Sequence, residues 1–176
     1  MLQRKLLLVI YALVFVQLAR AQEKNFPVPK GNGNQLFYLQ RTSNTNTIIY
    51  ELNYKNGIVD VETPIHEYWI RYQEKGQQEE LSYIQRKFAY GIKAKKIAES
   101  QYELAFVSYK KFKMYLRPGT DKKLYVFTNI NHKVAILTSI FIKINGGSFW
   151  SPNIEYVEVS GIDPNTLTVT KERLII

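Results

Sequence analysis

The sequence predicts a mainly β single domain, built as one antiparallel sandwich or barrel-like sheet of about ten strands with one helix packed on it. Short runs of β-branched and aromatic residues recur along the chain, and clusters of Gly, Pro, Asn and Asp separate them. Only one stretch after the N-terminal segment has helical periodicity. A parallel sheet needs a helix between most of its strands, so the antiparallel architecture is favoured.

The N-terminal segment has the pattern of a secretory signal peptide. Arg4 and Lys5 precede an apolar run over residues 6–18, and Ala19 and Ala21 place small residues at the two positions that a signal peptidase reads. The apolar run is shorter than the about 20 residues that a membrane-spanning helix needs. We therefore expect cleavage after Ala21, which defines residues 1–21 as the signal peptide.

The expected mature chain is one exported domain. Residues 22–34 are polar and rich in Pro and Gly, which predicts a flexible linker. Residues 35–176 are numerous enough for a single β-rich domain with its own core. No segment after the signal peptide reads as a membrane span. We expect the protein in the periplasm or outside the cell.

Charge and cysteine content limit the partners of the chain. The full sequence has a net charge of +9 and no cysteine. Without the three basic residues of the signal peptide, 21 basic and 15 acidic residues remain, a net charge of +6. The basic residues are spread along strands and turns, so we expect no nucleic-acid partner. Acidic glycans or a membrane surface match this basic chain better, although a solvated basic surface needs no partner.

The first two strands are predicted to form a hairpin. Residues 36–41 and 47–54 are β-prone, and the Thr, Ser and Asn residues between them favour a turn. Within the second strand, Ile48, Tyr50, Leu52 and Tyr54 are predicted to lie on one face, with Glu51 and Asn53 on the other.

Residues 64–96 are predicted to form a strand, a helix and a second strand, against which the flanking strands pack. The helix is expected over residues 79–90, with Gly91 in the left-handed conformation that ends many helices. Three apolar residues fall on one helical face at a spacing of i, i+3 and i+7: Leu81, Ile84 and Phe88.

The second half of the chain reads as strands and turns throughout. Residues 101–109 and 112–117 predict a hairpin in which Met114 and Leu116 share one face. The most apolar strand is residues 133–145, whose weak alternation indicates that both of its faces are covered. The remaining predicted strands are residues 123–128, 153–160 and 167–171, the last two paired with each other.

The sequence has no motif for a known catalytic chemistry. It contains no GxSxG elbow, no Walker motif and no GxGxxG fingerprint. The two histidines, His66 and His132, lie far apart and there is no cysteine, so no metal site is predicted. We therefore predict no catalytic residue, no metal and no cofactor, and favour a protein that is not an enzyme.

A mixture of arginine and aromatic residues is the one feature that suggests a binding site. Arginine forms planar paired bonds with carboxylate, phosphate or sulfate, and aromatic rings pack the apolar or sugar part of a ligand. We expect a small anionic or amphipathic ligand, or an acidic glycan fragment, bound without chemical turnover. The predicted ligand-binding residues are Arg41, Tyr50, Tyr68, Arg71, Arg86 and Tyr90.

Three other interpretations stay open. Each arginine can instead pair with an acid such as Glu51, Glu67 or Glu79 and only tie the sheet to the helix. An envelope-polymer hydrolase would use a carboxylate pair in a cleft, with one acid of raised pKa. A protein-interaction module would dock a partner on exposed basic strands such as the one that carries Lys113 and Arg117.

Four groups of residues form a pattern that is found in a known family: Gln40, Arg41, Asn44, Asn46 and Thr47 in the first turn, Tyr68 and Trp69, Gln85–Arg86–Lys87, and Ala89–Tyr90–Gly91. Through these residues the chain resembles a family of secreted bacterial proteins, domain of unknown function 4833, over about residues 34–176. The resemblance implies an exported location and this domain boundary, and it carries no established activity, substrate or catalytic residue. The sequence has Gln85 where the resemblance leads us to expect an acid.

Overall fold

The computed structural model describes residues 26–148 and 150–175, and the predicted signal peptide lies outside these ranges. A short α-helix, α1 (Tyr83–Gln85), continues into a π-helical turn, Arg86–Tyr90. In the described part of the chain, no helix has the length and apolarity to span a membrane. The strands are β1 Gln35–Arg41, β2 Asn44–Leu52, β3 Tyr54–Lys55, β4 Ile58–Val59, β5 Ile65–Ile70, β6 Gln78–Glu80, β7 Ile92–Ala98, β8 Gln101–Phe106, β9 Lys113–Pro118, β10 Leu124–Ile130, β11 Lys133–Gly147, β12 Pro152–Ile162 and β13 Val169–Leu174.

Eleven strands form one sheet that curls into an open half-barrel. Its order is β6-β5-β2-β1-β11-β10-β9-β8-β7, with β12 on the opposite edge of β11 and β13 beyond it. The mainly β prediction is confirmed, whereas a two-sheet sandwich is not. The expectation of antiparallel pairing is wrong at one place, because β1 pairs with β11 in parallel, with Tyr38 opposite Ser139.

The predicted hairpins are confirmed. β1 pairs with β2, β8 with β9, and β12 with β13, all antiparallel. β11 is the long apolar strand, and it contacts β10 and β1 along one edge and β12 along the other. The buried face of β11 changes from odd to even positions, from Ala135 and Leu137 to Ile140, because the register with β12 shifts between Leu137 and Ser139. This shift explains the weak alternation, and the opposite face is only partly covered.

The core lies inside the curl and contains the alternate residues that the sequence predicts. Tyr50 is fully buried, and its ring stacks on Phe37 at 4.4 Å between centroids. Both rings meet Phe106 of β8 edge to face, which joins the two arms of the sheet. Met114 and Leu116 of β9 are also fully buried. Aromatic pairs in these arrangements add to the free energy of their burial.

Residues 81–91 join the two ends of the sheet, because β6 and β7 are the outermost strands of its order. We call the gap between β5 and β7 the seam. The Glu67 carboxylate accepts a hydrogen bond from the backbone N–H of Ile92 at 2.8 Å across it. The Tyr50 hydroxyl donates to the backbone carbonyl of Tyr90 at 2.9 Å. The middle of the predicted strand–helix–strand unit therefore bridges the two ends of the open half-barrel.

The predicted helix start at residue 79 is wrong. Glu79 and Glu80 lie in β6, opposite Trp69 and Tyr68 of β5. The helix begins after Ser82, whose hydroxyl accepts a hydrogen bond from the Gln85 backbone while the Gln85 side chain accepts one from the Ser82 backbone. This reciprocal capping box satisfies two N–H groups that the first helical turn leaves unpaired.

The predicted apolar face of this helix is also wrong. Leu81 is buried in the core, but it precedes the helix. Ile84 and Phe88 are about half exposed. Gly91 has an extended conformation with φ −63° instead of the expected left-handed one. The periodicity of the segment marks its apolar residues correctly, but a short α-turn followed by a π-turn does not align them as a continuous helix does.

The segment predicted as a flexible linker packs on the sheet from residue 26 onward. Phe26 meets the ring of Phe141 at 5.1 Å between centroids, and Pro29 is buried. The Gln40 side chain donates to the carbonyl of Pro27 at 2.8 Å. These contacts cover part of the outer face of β1 and β11.

Candidate functional site

Four side chains converge on the ring of Trp69, which points into the curl from β5. The guanidinium carbons of Arg41 and Arg71 lie 5.3 and 5.2 Å from its centroid. Tyr90 meets it edge to face at 5.4 Å, and the indole N–H donates to the Gln85 side chain at 3.3 Å. We call this group the Trp69 cluster. A cation above an indole face is attracted by the electron density of the ring.

The two arginines of the Trp69 cluster differ in their partners. Arg71 donates two hydrogen bonds to Glu79, each at 2.8 Å, so its charge is neutralised by a bidentate ion pair. Arg41 donates to the Ser43 hydroxyl at 2.6 Å. Its Nε is buried without a hydrogen-bond partner, and no carboxylate pairs with it among the residues that the structure describes. Among the described residues, therefore, no acid neutralises the charge of Arg41 at the end of β1.

A cavity of about 210 Å³ lies beside the Trp69 cluster, between the π-turn and β11 to β13. Arg41 is the register partner of Ile142, which lines the cavity, and its guanidinium carbon is 5.8 Å from the ring of Tyr90, which also lines it. The arrangement is an apolar cavity with a cation at one end that no carboxylate of the described residues pairs with. The walls are mostly aliphatic and aromatic: Leu39, Tyr90, Phe106, Phe112, Ile140, Ile142, Ile154, Val157, Val159 and Leu174.

Of the predicted site residues, Arg41 and Tyr90 adjoin this cavity, and Arg71 contacts the same indole ring. Tyr50 lies deeper, and burial raises the pKa of its hydroxyl well above the ordinary value of 10.0. The Tyr50 hydroxyl donates a hydrogen bond to the backbone carbonyl of Tyr90 and so holds Tyr90 at the cavity wall. The structure does not bring Tyr68 and Arg86 to the cavity.

Tyr68 faces the other side of β5, where its hydroxyl donates to Glu51 at 3.1 Å. Burial, followed by the charge of Glu51, raises the pKa of Tyr68 to about 12. Arg86 donates to Glu80 at 3.0 Å, and its Nε lies 3.8 Å from Glu67. For Arg71 and Arg86, the structure shows the pairing with acids that we considered as the alternative to ligand binding.

A second group of charged residues surrounds the seam and lines a cleft of about 190 Å³. Burial raises the pKa of Glu67, while the Ile92 N–H and the charge of Arg86 act in the opposite direction. His66 lies on the other face of β5, with its ring nitrogens 3.3 Å from Glu51 and 2.8 Å from Glu80. Over residues 26–148 and 150–175, no three metal-ligating side chains are placed to hold an ion.

Glu67 makes the stability of the protein depend on pH. Its carboxyl has a pKa above 4.5 in the folded state, so the unfolded chain loses that proton first as the pH rises. The contribution of Glu67 to stability is therefore greatest in acid and falls as the pH rises above 4.5. We expect Glu67→Gln, which can still accept from Ile92, to remove this decline in urea unfolding curves measured from acid to neutral pH. Glu62→Gln, at an exposed acid of the same cleft, is the control and should keep the decline in stability. If the stability of wild type and Glu67→Gln changed with pH in parallel, Glu67 would not be the source of the decline.

Most residues of the cavity wall were not predicted from the sequence. Ile140 and Ile142 come from β11, Val157 and Val159 from β12, and Leu174 from β13. The only signal in the sequence is that these strands are rich in β-branched residues. Such residues are expected in any sheet core, so the signal does not separate a cavity wall from a filled core.

Comparisons with known proteins identify a family. No curated protein and no solved structure matches the chain. A family model described as Domain of unknown function (DUF4833) matches residues 37–173, from β1 to β13. This range includes the Trp69 cluster, the seam and most of the cavity wall. The chain therefore belongs to the DUF4833 family.

Proposed function

We propose that the protein is an exported binding domain that holds a small amphipathic ligand with an anionic head, without chemical turnover. The observation that carries this proposal is Arg41, whose guanidinium lies beside an apolar cavity and has no carboxylate partner within residues 26–148 and 150–175. The signal-peptide pattern of residues 1–21 supports the exported location.

The charge of Arg41 determines the chemistry of the ligand head. A partly buried charge without a counter-ion costs free energy, and a carboxylate or phosphate placed against the guanidinium supplies the missing acceptor. Arginine forms short, charge-assisted hydrogen bonds with such groups. Stacking on Trp69 and Tyr90 holds the guanidinium in one orientation, so little side-chain entropy is lost when an anion binds.

The cavity determines the rest of the ligand. Its wall is formed mainly by aliphatic and aromatic side chains, which favour a hydrocarbon chain over a sugar. Each buried methylene contributes about 0.8 kcal/mol to binding. The volume of about 210 Å³ is below the roughly 300 Å³ at which pockets for drug-sized molecules begin. A single short chain with a carboxylate matches this volume better than an acidic glycan or a two-chain lipid.

The hydrolase interpretation has one observation in its favour, the raised pKa of Glu67 in a cleft. However, one oxygen of this carboxylate holds the Ile92 N–H and the other faces Arg86. The first contact crosses the seam from β5 to β7, and the second ties β5 to the π-turn. We therefore assign Glu67 a structural role, and we base the proposed function on Arg41.

Ligand binding is tested with straight-chain probes on the purified protein. We expect decanoate to raise the melting temperature more than decanol or butyrate does, because decanoate alone supplies both a chain and a charge. Arg41→Gln should bind decanoate about 10- to 100-fold more weakly, as expected for loss of a charge-assisted hydrogen bond. The measurement is isothermal titration calorimetry, with circular dichroism to show that each variant is folded.

A matched control is Arg117→Gln. Arg117 also lies over an aromatic ring, Phe127 at 4.3 Å, but on the outer face of the sheet. This variant should bind decanoate as wild type does. Equal decanoate affinity in wild type and folded Arg41→Gln would contradict the role of Arg41. Failure of all the probes to stabilise wild type would contradict the proposed ligand class.

A further inference from the structure

Three exposed apolar side chains lie beside the cavity, and we call them the rim: Phe88, Tyr109 and Trp150. Their exposed fractions run from 45% for Tyr109 to 69% for Trp150. Tyr109 itself lines the cavity, and Phe88 precedes Ala89, which also lines it. Surface apolar residues are common singly, but a group of them around one cavity marks an interaction site.

The rim is one surface because its segments meet. Phe88 of the π-turn contacts Trp150 of the β11–β12 hairpin edge to face, with 6.1 Å between centroids. The π-turn also meets the connection between β8 and β9, where the Ser108 hydroxyl donates to the carbonyl of Ala89 at 2.6 Å. Three separate segments therefore place their exposed apolar residues next to one another beside the cavity.

Lysines are interleaved with the rim. Lys87 precedes Phe88 and lies over its ring at 5.4 Å, and Lys110 and Lys111 directly follow Tyr109. All three are exposed, and none forms an ion pair with any residue in the described part of the chain. Aromatic rings beside lysines are typical of surfaces that rest at the boundary between lipid headgroups and acyl chains.

We propose that the rim docks on the surface of an anionic phospholipid bilayer, from which the cavity takes a single-chain carboxylate. This inference rests on the proposed function for the nature of the ligand. The rings of Phe88 and Trp150 enter the headgroup region, while the lysines face anionic lipids within a Debye length of about 8 Å. The apolar cavity then opens toward the acyl chains, so the ligand does not cross water.

Charge favours a bilayer over a second copy of the chain. Two rims placed face to face would bring their lysines together, and the mature chain is already basic, with 21 basic and 15 acidic residues outside the signal peptide. An anionic membrane neutralises these charges instead of repelling them. The same charges make docking sensitive to salt.

The test measures sedimentation of the purified protein with two kinds of vesicle. We expect vesicles of phosphatidylcholine and phosphatidylglycerol to bind it at least about tenfold more tightly than pure phosphatidylcholine, with the difference reduced by salt. Brominated lipids should quench the fluorescence of wild type, and Trp150→Phe should remove this quenching, since the remaining Trp69 is buried. Two double variants, Phe88→Ala with Trp150→Ala and Lys110→Gln with Lys111→Gln, should each weaken vesicle binding about tenfold.

Lys55→Gln with Ile58→Ala is the control, because both residues are exposed on the β3–β4 hairpin at the opposite end of β2 from Arg41. This variant should bind vesicles as wild type does. Rim variants should still bind decanoate, and Arg41→Gln should still bind vesicles, so the surface and the cavity are tested separately.

Three results would overturn the docking surface. The first is no vesicle binding by wild type while decanoate binds, which leaves the proposed function intact. The second is equal vesicle binding by the rim and control variants. The third is a concentration-dependent dimer in sedimentation velocity that the rim variants abolish, which would assign the rim to contact between copies of the chain. Vesicle binding through the rim without decanoate binding would confirm the surface and contradict the ligand.

Discussion

Replacing Trp69 with alanine should lower the free energy of unfolding by about 3–5 kcal/mol, the range found when a large aromatic side chain is deleted from a core. Trp69 is almost fully buried and contacts both guanidiniums of its cluster. It also fixes the helical segment, through the edge contact with Tyr90 and the hydrogen bond to Gln85. Its loss leaves a void and removes the support that holds Arg41 beside the cavity.

Urea unfolding followed by far-ultraviolet circular dichroism measures this effect without relying on tryptophan emission. Trp69→Phe keeps a ring for the cations but loses the hydrogen bond to Gln85 and part of the contact area. We expect a smaller cost in the free energy of unfolding, about 1 kcal/mol for the hydrogen bond and a further amount for the lost contacts. Trp150→Ala is the matched control, because the sequence has two tryptophans and this one is 69% exposed. It should change stability by less than about 0.5 kcal/mol. Equal effects at both tryptophans would show that the Trp69 cluster does not hold the fold.

Gly91→Ala should destabilise the protein by about 3 kcal/mol, the upper end of what overpacking costs. A Cβ at this position would lie 2.0 Å from the backbone carbonyl oxygen of Arg86. The backbone has little room to move, because the Gly91 carbonyl accepts from Val107 at 2.9 Å and the next residue, Ile92, donates to Glu67 across the seam. Relief of the overlap requires the π-turn to open or the seam to separate.

The substitutions at Gly91 also separate two explanations. A glycine that is needed for positive φ tolerates asparagine better than valine. Because Gly91 has φ −63° and the obstacle is a Cβ of any kind, alanine, asparagine and valine should all be costly. Gly33→Ala is the control, since a Cβ there meets nothing within 4 Å and the residue lacks positive φ. A Gly91→Ala protein with unchanged stability in urea would show that the π-turn relaxes freely.

Both substitutions act on the segment that joins the ends of the sheet, and this segment links stability to the proposed binding site. Tyr90 lines the cavity, contacts Trp69 and receives the hydrogen bond of Tyr50. A folded variant with a loosened π-turn should therefore lose ligand affinity as well as stability. This coupling follows because one short segment carries both the seam contacts and the cavity wall.

Local patterns gave correct predictions where strands that are adjacent in the chain pair with each other. The hairpin of β1 and β2 and that of β8 and β9 were predictable, because a turn sequence lies between two alternating strands. The helix start was not, because the acids at Glu79 and Glu80 suit a first helical turn as well as an edge strand. Their pairing with β5 decides between the two, and that pairing is a tertiary contact.

In the candidate site, too, some features follow from the local sequence and others depend on tertiary contacts. Arginine and tyrosine are residues that the sequence marks as chemically informative, and Arg41 and Tyr90 were among those predicted to bind a ligand. Whether an arginine is neutralised depends on the carboxylates that the fold brings to it. Arg71 has Glu79 as its partner, and Arg41 has none among the residues that the structure describes.

The sequence by itself determined the mainly β fold, the three confirmed hairpins and the alternate residues that fill the core, because these depend on side chains within one or two strands. Only the tertiary structure decided the parallel pairing of β1 with β11, whose partners Tyr38 and Ser139 lie about a hundred residues apart. It also decided the closure of the seam and the cavity beside Arg41. The physical reason is that a contact between distant segments depends on the packing of the whole sheet, whereas a hairpin depends on its own turn and its own alternation.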